Sequence, residues 1–180
     1  HEIALKNIET IHTIKTALDN KKVISYFQPI VNNLTLEVEK YESLVRIIDE
    51  NGQLLSPYHF LDVAKKGRYY SKNTKIVLEN SFLALLRTDK EISINLSVFD
   101  IEQDKIRDYI YALLVQYARF SHRVIFEVLE SESVKNFDII LAFIHKVKKQ
   151  GVKIAIDDFG TGYSNFERLL EFEPDILKID

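Results

Sequence analysis

The chain has no cysteine, so it can build neither a disulfide framework nor a thiolate metal site, which fits a reducing compartment. It has no apolar run near the ~20 residues that a bilayer-crossing helix needs, and its N-terminus lacks the basic-then-apolar pattern of a secretory leader. A cytoplasmic segment that makes no membrane contact of its own is expected, whether or not a parent protein is membrane-tethered. An excess of basic charge is missing too, since 24 Lys and Arg against 27 Asp and Glu leave a net charge of −3. That argues against the basic stripe with which proteins grip duplex nucleic acid and leaves small phosphate ligands open. The five histidines, at positions 1, 12, 59, 122 and 145, show no ligand-like spacing. What is present is 46% hydrophobic content over 180 residues, enough for one well-filled core rather than two.

Ile8, Ile11, Ile14 and Leu18 recur at spacings of three and four, which predicts an amphipathic helix over residues 1–20. With His1 in place of an initiator Met, that helix is read as a linker arriving from an upstream domain. Residues 25–31 and 37–48 are rich in β-branched and aromatic residues, and Asn32-Asn33 between them supplies turn chemistry, so a hairpin is expected. After the Asn51-Gly52 turn signal, Ser56-Pro57 reads as an N-cap with proline in the first turn, opening a helix to about Lys66. A second helix is expected from about Lys72 to Arg87. The pattern then alternates: strand 91–98, helix 101–118, strand 123–129, helix 134–150, strand 153–157 and a last short strand near Ile176. Strand and helix in alternation imply an α/β fold of parallel strands with crossover helices, either an open wound sheet or a barrel.

Parallel α/β folds place ligands at the carboxyl ends of their strands. Here each apolar strand ends in a polar residue: Ile94 leads to Asn95, Phe126 to Glu127, Ile156 to Asp157-Asp158, and Leu177 to Lys178. Four strand ends would therefore bring acids, an amide and a lysine to one mouth. Glu42, Leu44 and Arg46 share one face of an earlier strand by period-two alternation and can serve the same site.

Taken singly, most of these residues have ordinary explanations. Glu42 fits an edge strand, Asn95-Leu96-Ser97 a cap or turn, and Glu127 with Glu130 the flanks of a helix start. Arg46 fits a surface pair with Asp49 or Glu50, and Lys178 a strand end. The run Asp157-Asp158-Phe159-Gly160-Thr161-Gly162-Tyr163-Ser164 is different. Two adjacent carboxylates after an apolar strand repel each other unless a cation or strong donors share them, and the glycines let the loop bend tightly. A metal-binding catalytic loop explains that run better than a structural turn.

Ordered along the chain, several segments resemble the EAL family of cyclic di-GMP phosphodiesterases: Tyr26-Phe27-Gln28-Pro29-Ile30, Glu42-Ser43-Leu44-Val45-Arg46, Ile94-Asn95-Leu96-Ser97, Glu127-Val128-Leu129-Glu130-Ser131, Asp157 through Ser164, and Leu177-Lys178-Ile179-Asp180. The resemblance implies a TIM-like (β/α) barrel whose first strand is antiparallel, formed by residues 21–180 and lacking its final strand-helix units. It implies metal ligation by Glu42, Asn95, Glu127 and Asp157, with Asp158 on a second metal and Lys178 beside the attacking water. Gln28, Leu44 and Arg46 would bind substrate, and Glu130 would brace the loop after Asp157. An all-oxygen donor set suits Mg²⁺ or Mn²⁺, two ions being expected. The implied partners are cyclic di-GMP, an upstream sensor or GGDEF-type domain and a second copy in a homodimer.

Three departures from the family pattern stand out. Ser43 replaces the usual alanine, Leu129 stands where threonine is common, and a further glutamate and glutamine expected beyond the lysine strand are not in the chain. Two other classes of function remain open: a receptor that keeps the ligand without turnover, and an interaction module whose N-terminal helix pairs with a partner.

Overall fold

A computed structural model of the chain describes residues 2–65, 69–129, 136–158 and 171–179. The N-terminal pattern forms helix α1 (Glu2–Asp19), whose second half turns Ile14 and Ala17 inward. The hairpin follows as β1 (Val23–Val31) and β2 (Val38–Ile48), paired antiparallel. Its turn is tied by Asn32, whose side-chain oxygen accepts from the Leu34 and Thr35 N–H groups at 2.8 and 3.1 Å. The Asn51-Gly52 signal also makes a tight turn. Gly52 adopts φ +80°, and Asp49 accepts from the N–H groups of Asn51 and Gln53 at 2.9 and 2.7 Å. This turn folds a two-residue strand, β3 (Leu54–Leu55), back onto β2, a pairing too short to be legible in the sequence.

The helix expected after Ser56-Pro57 is broken. Pro57 does open a 3-10 turn, Pro57–His59, but the Ser56 side chain caps nothing, and Phe60 leaves helical geometry as it enters the core. The chain then resumes as the short α2 (Leu61–Lys65). Next come α3 (Tyr70–Ala84) and β4 (Glu91–Asn95). The single helix expected over 101–118 is two, α4 (Val98–Glu102) and α5 (Asp104–Gln116). They part at Gln103, which is extended because its amide is pulled between the Ser71 hydroxyl at 2.7 Å and the Phe99 carbonyl at 3.1 Å. The alternation ends with β5 (Val124–Leu129), α6 (Phe137–Lys148), β6 (Lys153–Asp157) and β7 (Ile176–Leu177).

The sheet order is β1-β2-β4-β5-β6-β7, with β3 on β2; from β2 to β7 along that path every pairing is parallel. One face carries Ile92, Ile94, Val124, Phe126, Val128, Ile154 and Ile156, all buried against Phe82 of α3, Ile110 and Leu114 of α5, and Phe143 and Val147 of α6. The alternate residues point to the other face, which is how Glu42, Asn95, Glu127 and Asp157 come to share it. A second cluster joins Ile14 and Ala17 of α1 to Val23, Ile47, Phe60, Ala64 and Tyr70. None of the helices, among the described residues, is long and apolar enough to cross a membrane.

Phe126 is fully buried, with its ring 6.0 Å from that of Phe143. Removing it in Phe126→Ala opens a large cavity under the strand that carries Glu127. A loss of about 3–5 kcal/mol in urea unfolding is expected, and a loss below 1 kcal/mol would mean that this core is not the one holding the sheet.

Candidate active site

Five side chains converge where the parallel strands end. The Asn95 amide donates to Glu42 Oε1 at 3.0 Å, linking the end of β4 to the middle of β2. Lys178, the residue after β7, donates from its ammonium to Glu127 Oε2 at 2.7 Å and lies 3.2 Å from Asp157 Oδ1 and 3.6 Å from Glu42 Oε2. Strand register produces this meeting. Asn95 stands beside Glu127 in the β4–β5 pairing, while β7 aligns Leu177 with Ile156 and so carries Lys178 to the level of Asp157. The Lys178 N–H bond to the Ile156 carbonyl, 2.9 Å, fixes that level.

The electrostatics are dominated by Lys178. Burial pulls its ammonium toward neutrality, but the hydrogen bond and charge of Glu127, the charge of Glu42 and the bond to Asp157 outweigh burial and hold its pKa above the ordinary lysine value. It is therefore a fixed cation at neutral pH. Glu127 contributes most to this pairing, because its side chain is only 1% exposed and a buried carboxylate without a counter-charge is costly. Its Oε2 is bonded to Lys178, whereas Oε1 is buried with no hydrogen-bond partner among the described residues.

The remaining predicted residues lie nearby or beyond description. Asp158 takes a left-handed backbone, φ +54°, and its N–H donates to Asp157 Oδ1 at 3.1 Å. Aspartate is among the few residues that tolerate that conformation. Gln28 is exposed and opposes Glu42 across the β1–β2 ladder, where Tyr26 likewise opposes Leu44. Arg46 does share the face of Glu42, but its guanidinium lies 5.9 Å from the centre of the Tyr26 ring and donates to the Val45 carbonyl at 2.8 Å. One oxygen of Asp49, a partner foreseen for it, accepts instead from two turn N–H groups. Glu130 and the loop from Phe159 to Ser164 lie outside the described residues.

Could these residues hold a divalent cation? Among the described residues no three acids close around a single point; the Lys178 ammonium stands between them. The donor set nonetheless fits a hard cation: carboxylate oxygens from three strands, an amide whose nitrogen is engaged so that its oxygen remains for ligation, and a buried Glu127 oxygen that lacks any other partner. Four acids against one lysine also leave the mouth negative.

Sequence reasoning overlooked what lies behind Asn95. A cavity of about 270 Å³ runs from Asn95 and Glu127 past Leu44 to Asn73 and Asp100. Asp100 is buried and accepts from Ser97, Tyr70 and Thr74. Its signal was available: Ser97-x-x-Asp100 is a capping-box spacing.

Comparison with known proteins matches residues 11–180 to the family model described as "EAL domain". "Probable cyclic di-GMP phosphodiesterase PdeA" of Escherichia coli K12 is 34% identical over 97% of this chain, and "Cyclic di-GMP phosphodiesterase PdeF" of the same organism is 32% identical over 96%. The chain spans 24% of the length of each, about a quarter. Among solved structures, "PaMucR Phosphodiesterase, c-di-GMP complex" superposes with a TM-score of 0.85 at 28% identity, over 96% of this chain and 72% of that one.

Lys178 separates three carboxylates, so Lys178→Met leaves them facing one another. In the absence of divalent cations this variant should lose roughly 1–3 kcal/mol of stability. Added Mn²⁺ should then raise its melting temperature by more than it raises that of the unaltered protein. An equal rise in both would show that the lysine and the cation do not share a site.

Proposed function

Because the chain belongs to the EAL domain family, we propose that it hydrolyses cyclic di-GMP to linear pGpG in bacterial second-messenger signalling, with Mg²⁺ or Mn²⁺ as cofactor. The observation that carries this reading is the meeting of Glu42, Asn95, Glu127, Asp157 and Lys178 at one end of the sheet, with a buried Glu127 oxygen unsatisfied. Its support includes relatives named as cyclic di-GMP phosphodiesterases and a structural neighbour solved with c-di-GMP.

In this reading Glu42, Asn95, Glu127 and Asp157 hold one ion and Asp158 a second. Bound there, such ions would supply Lewis-acid stabilisation of phosphoryl charge and make a water more acidic. Water adds to one phosphodiester phosphorus, the bond from phosphorus to the 3′ oxygen breaks, and the water's proton ends on that leaving alcohol, so the ring opens to a 5′-phosphorylated linear dinucleotide. Lys178, whose ammonium lies 2.7 Å from Glu127 Oε2 and 3.2 Å from Asp157 Oδ1, is assigned to electrostatic support beside the attacking water. It places positive charge where negative charge grows in the transition state. Arg46 can pair with a phosphate through its planar guanidinium, and Gln28 and Leu44 border the same face to hold the base and sugar. Glu130 is assigned to bracing the loop after Asp157 on the family pattern alone.

Cyclic di-GMP incubated with the protein and Mg²⁺ or Mn²⁺, then separated by chromatography, should yield the linear dinucleotide. Glu42→Ala should abolish the product, and Glu127→Gln should slow it by about 100-fold or more. A parallel sample in Ca²⁺ reports binding without turnover. Retained binding with no product in any metal would replace the enzyme by a receptor, and neither binding nor product would leave only the fold.

A further inference from the structure

Asn95 meets Glu42 from the last position of β4, and the residues that follow fix its backbone. Leu96 is buried and its N–H donates to the Glu127 carbonyl at 2.9 Å. Ser97 then starts α4 with a reciprocal cap. Its hydroxyl accepts from the Asp100 N–H at 3.0 Å, and the Asp100 carboxylate accepts from the Ser97 N–H at 3.0 Å. A cap of this kind works equally well at the surface, yet Asp100 is only 3% exposed.

Burial pushes the Asp100 carboxyl above its ordinary pKa, and hydrogen bonds from Ser97, Thr74 and Tyr70 oppose that rise. The last two come from α3: the Tyr70 hydroxyl donates to Oδ2 at 2.9 Å and the Thr74 hydroxyl to Oδ1 at 2.8 Å. Ser71 adds a third tie from the same helix, to Gln103. A buried acid costs several kcal/mol unless it is fully bonded, so a short five-residue helix gains little from it. What the burial does achieve is to clamp the turn after Asn95 onto α3. The ring that supplies one of the donors, Tyr70, also packs in the cluster formed by Ile14 and Ala17 of α1 with Phe60 and Ala64.

We propose that Tyr70, Thr74 and Asp100 are positioning residues that hold the Asn95 amide in register with Glu42, and that the apolar cluster Tyr70 shares with α1 bears on that register. The proposal rests on Asn95 being a metal ligand. None of the three touches substrate or cation; they act through the turn. Coupling between these groups and Asn95 is measured by a mutant cycle.

Tyr70→Phe keeps the ring and its packing and removes only the hydroxyl. Thr74→Val removes the second hydroxyl at constant shape, and Thr74→Ser restores it. Calorimetry with Mn²⁺ and no substrate should show affinity about tenfold weaker in Tyr70→Phe and Thr74→Val, the size expected of groups that support a ligand indirectly, and close to the starting value in Thr74→Ser. In an Asn95→Ala background Tyr70→Phe should weaken Mn²⁺ no further. The Asn95 side-chain amide, followed by nitrogen-15 NMR without metal, should shift in Tyr70→Phe and also in Ile14→Val, which trims α1 within the cluster that includes Tyr70. Equal losses from Tyr70→Phe in both backgrounds, or an amide resonance that stays in place, would overturn the positioning role; an unmoved resonance in Ile14→Val overturns the part played by α1. Absence of any Mn²⁺ binding to the unaltered protein would defeat the metal reading instead, and the amide resonance would still decide the network.

Discussion

The ammonium of Lys178 is the interaction on which the site depends. Glu42, Glu127 and Asp157, on three strands and staggered by two residues from one to the next in the register, all reach one ammonium, and without it three carboxylates so placed would repel one another and, in the case of Glu127, lie buried without compensation. A single cation on the flanking strand answers all three. Its own position is set by ladder hydrogen bonds and by Asp175, whose carboxylate accepts from the Ile154 N–H at 2.8 Å while its N–H donates to the Ile154 carbonyl at 2.8 Å. Asp175 thus locks the start of β7 to β6, three residues before Lys178. A salt bridge from Lys148 to Asp175 fastens the same point to the end of α6.

Such a site carries its charge on the strongest part of the scaffold and its adaptability elsewhere. Glu127 stands between Phe126 and Val128, both turned to the opposite face and buried in the core, so its backbone has almost no freedom. Lys178, by contrast, is 27% exposed on a long side chain and can swing while its backbone stays bonded. A rigid acid wall with one movable cation can exchange its internal counter-charge for an incoming divalent ion without rearranging the strands.

How much of this could be read from the residues alone follows the same division. The inward-facing positions were legible because strand alternation is strict: apolar residues at 92, 94, 124, 126, 154 and 156 demand one face, and whatever alternates with them takes the other. Strands β4 and β6 end at Asn95 and Asp157, while Glu127 lies two residues before the end of β5. Helix boundaries were less legible. Residues 98–116 have continuous helical character, and nothing local shows that the Gln103 amide is engaged by Ser71 and Phe99. The break over residues 57–65 is similar, because it comes from the burial of Phe60 in a cluster with α1, some forty residues earlier. Pairing Arg46 with a nearby acid failed for a related reason, since Asp49 had closer donors in its own turn. Long-range partners account for the two helix breaks, and a local turn for the difference at Asp49.

The serine at position 43 shows how the two faces separate chemistry from packing. It directly follows Glu42, so period-two alternation sends it to the helix side, where it is 2% exposed against α3. There the Ser81 hydroxyl lies 2.7 Å from Ser43 Oγ and 2.6 Å from the Val77 carbonyl. With one proton on each hydroxyl, a chain from Ser43 to Ser81 to the Val77 carbonyl satisfies both serines. Serine in place of the alanine usual in the family therefore adds a bond between β2 and α3 on the face opposite Glu42. A departure one residue from a proposed ligand is, in this fold, a departure on the far side of the sheet.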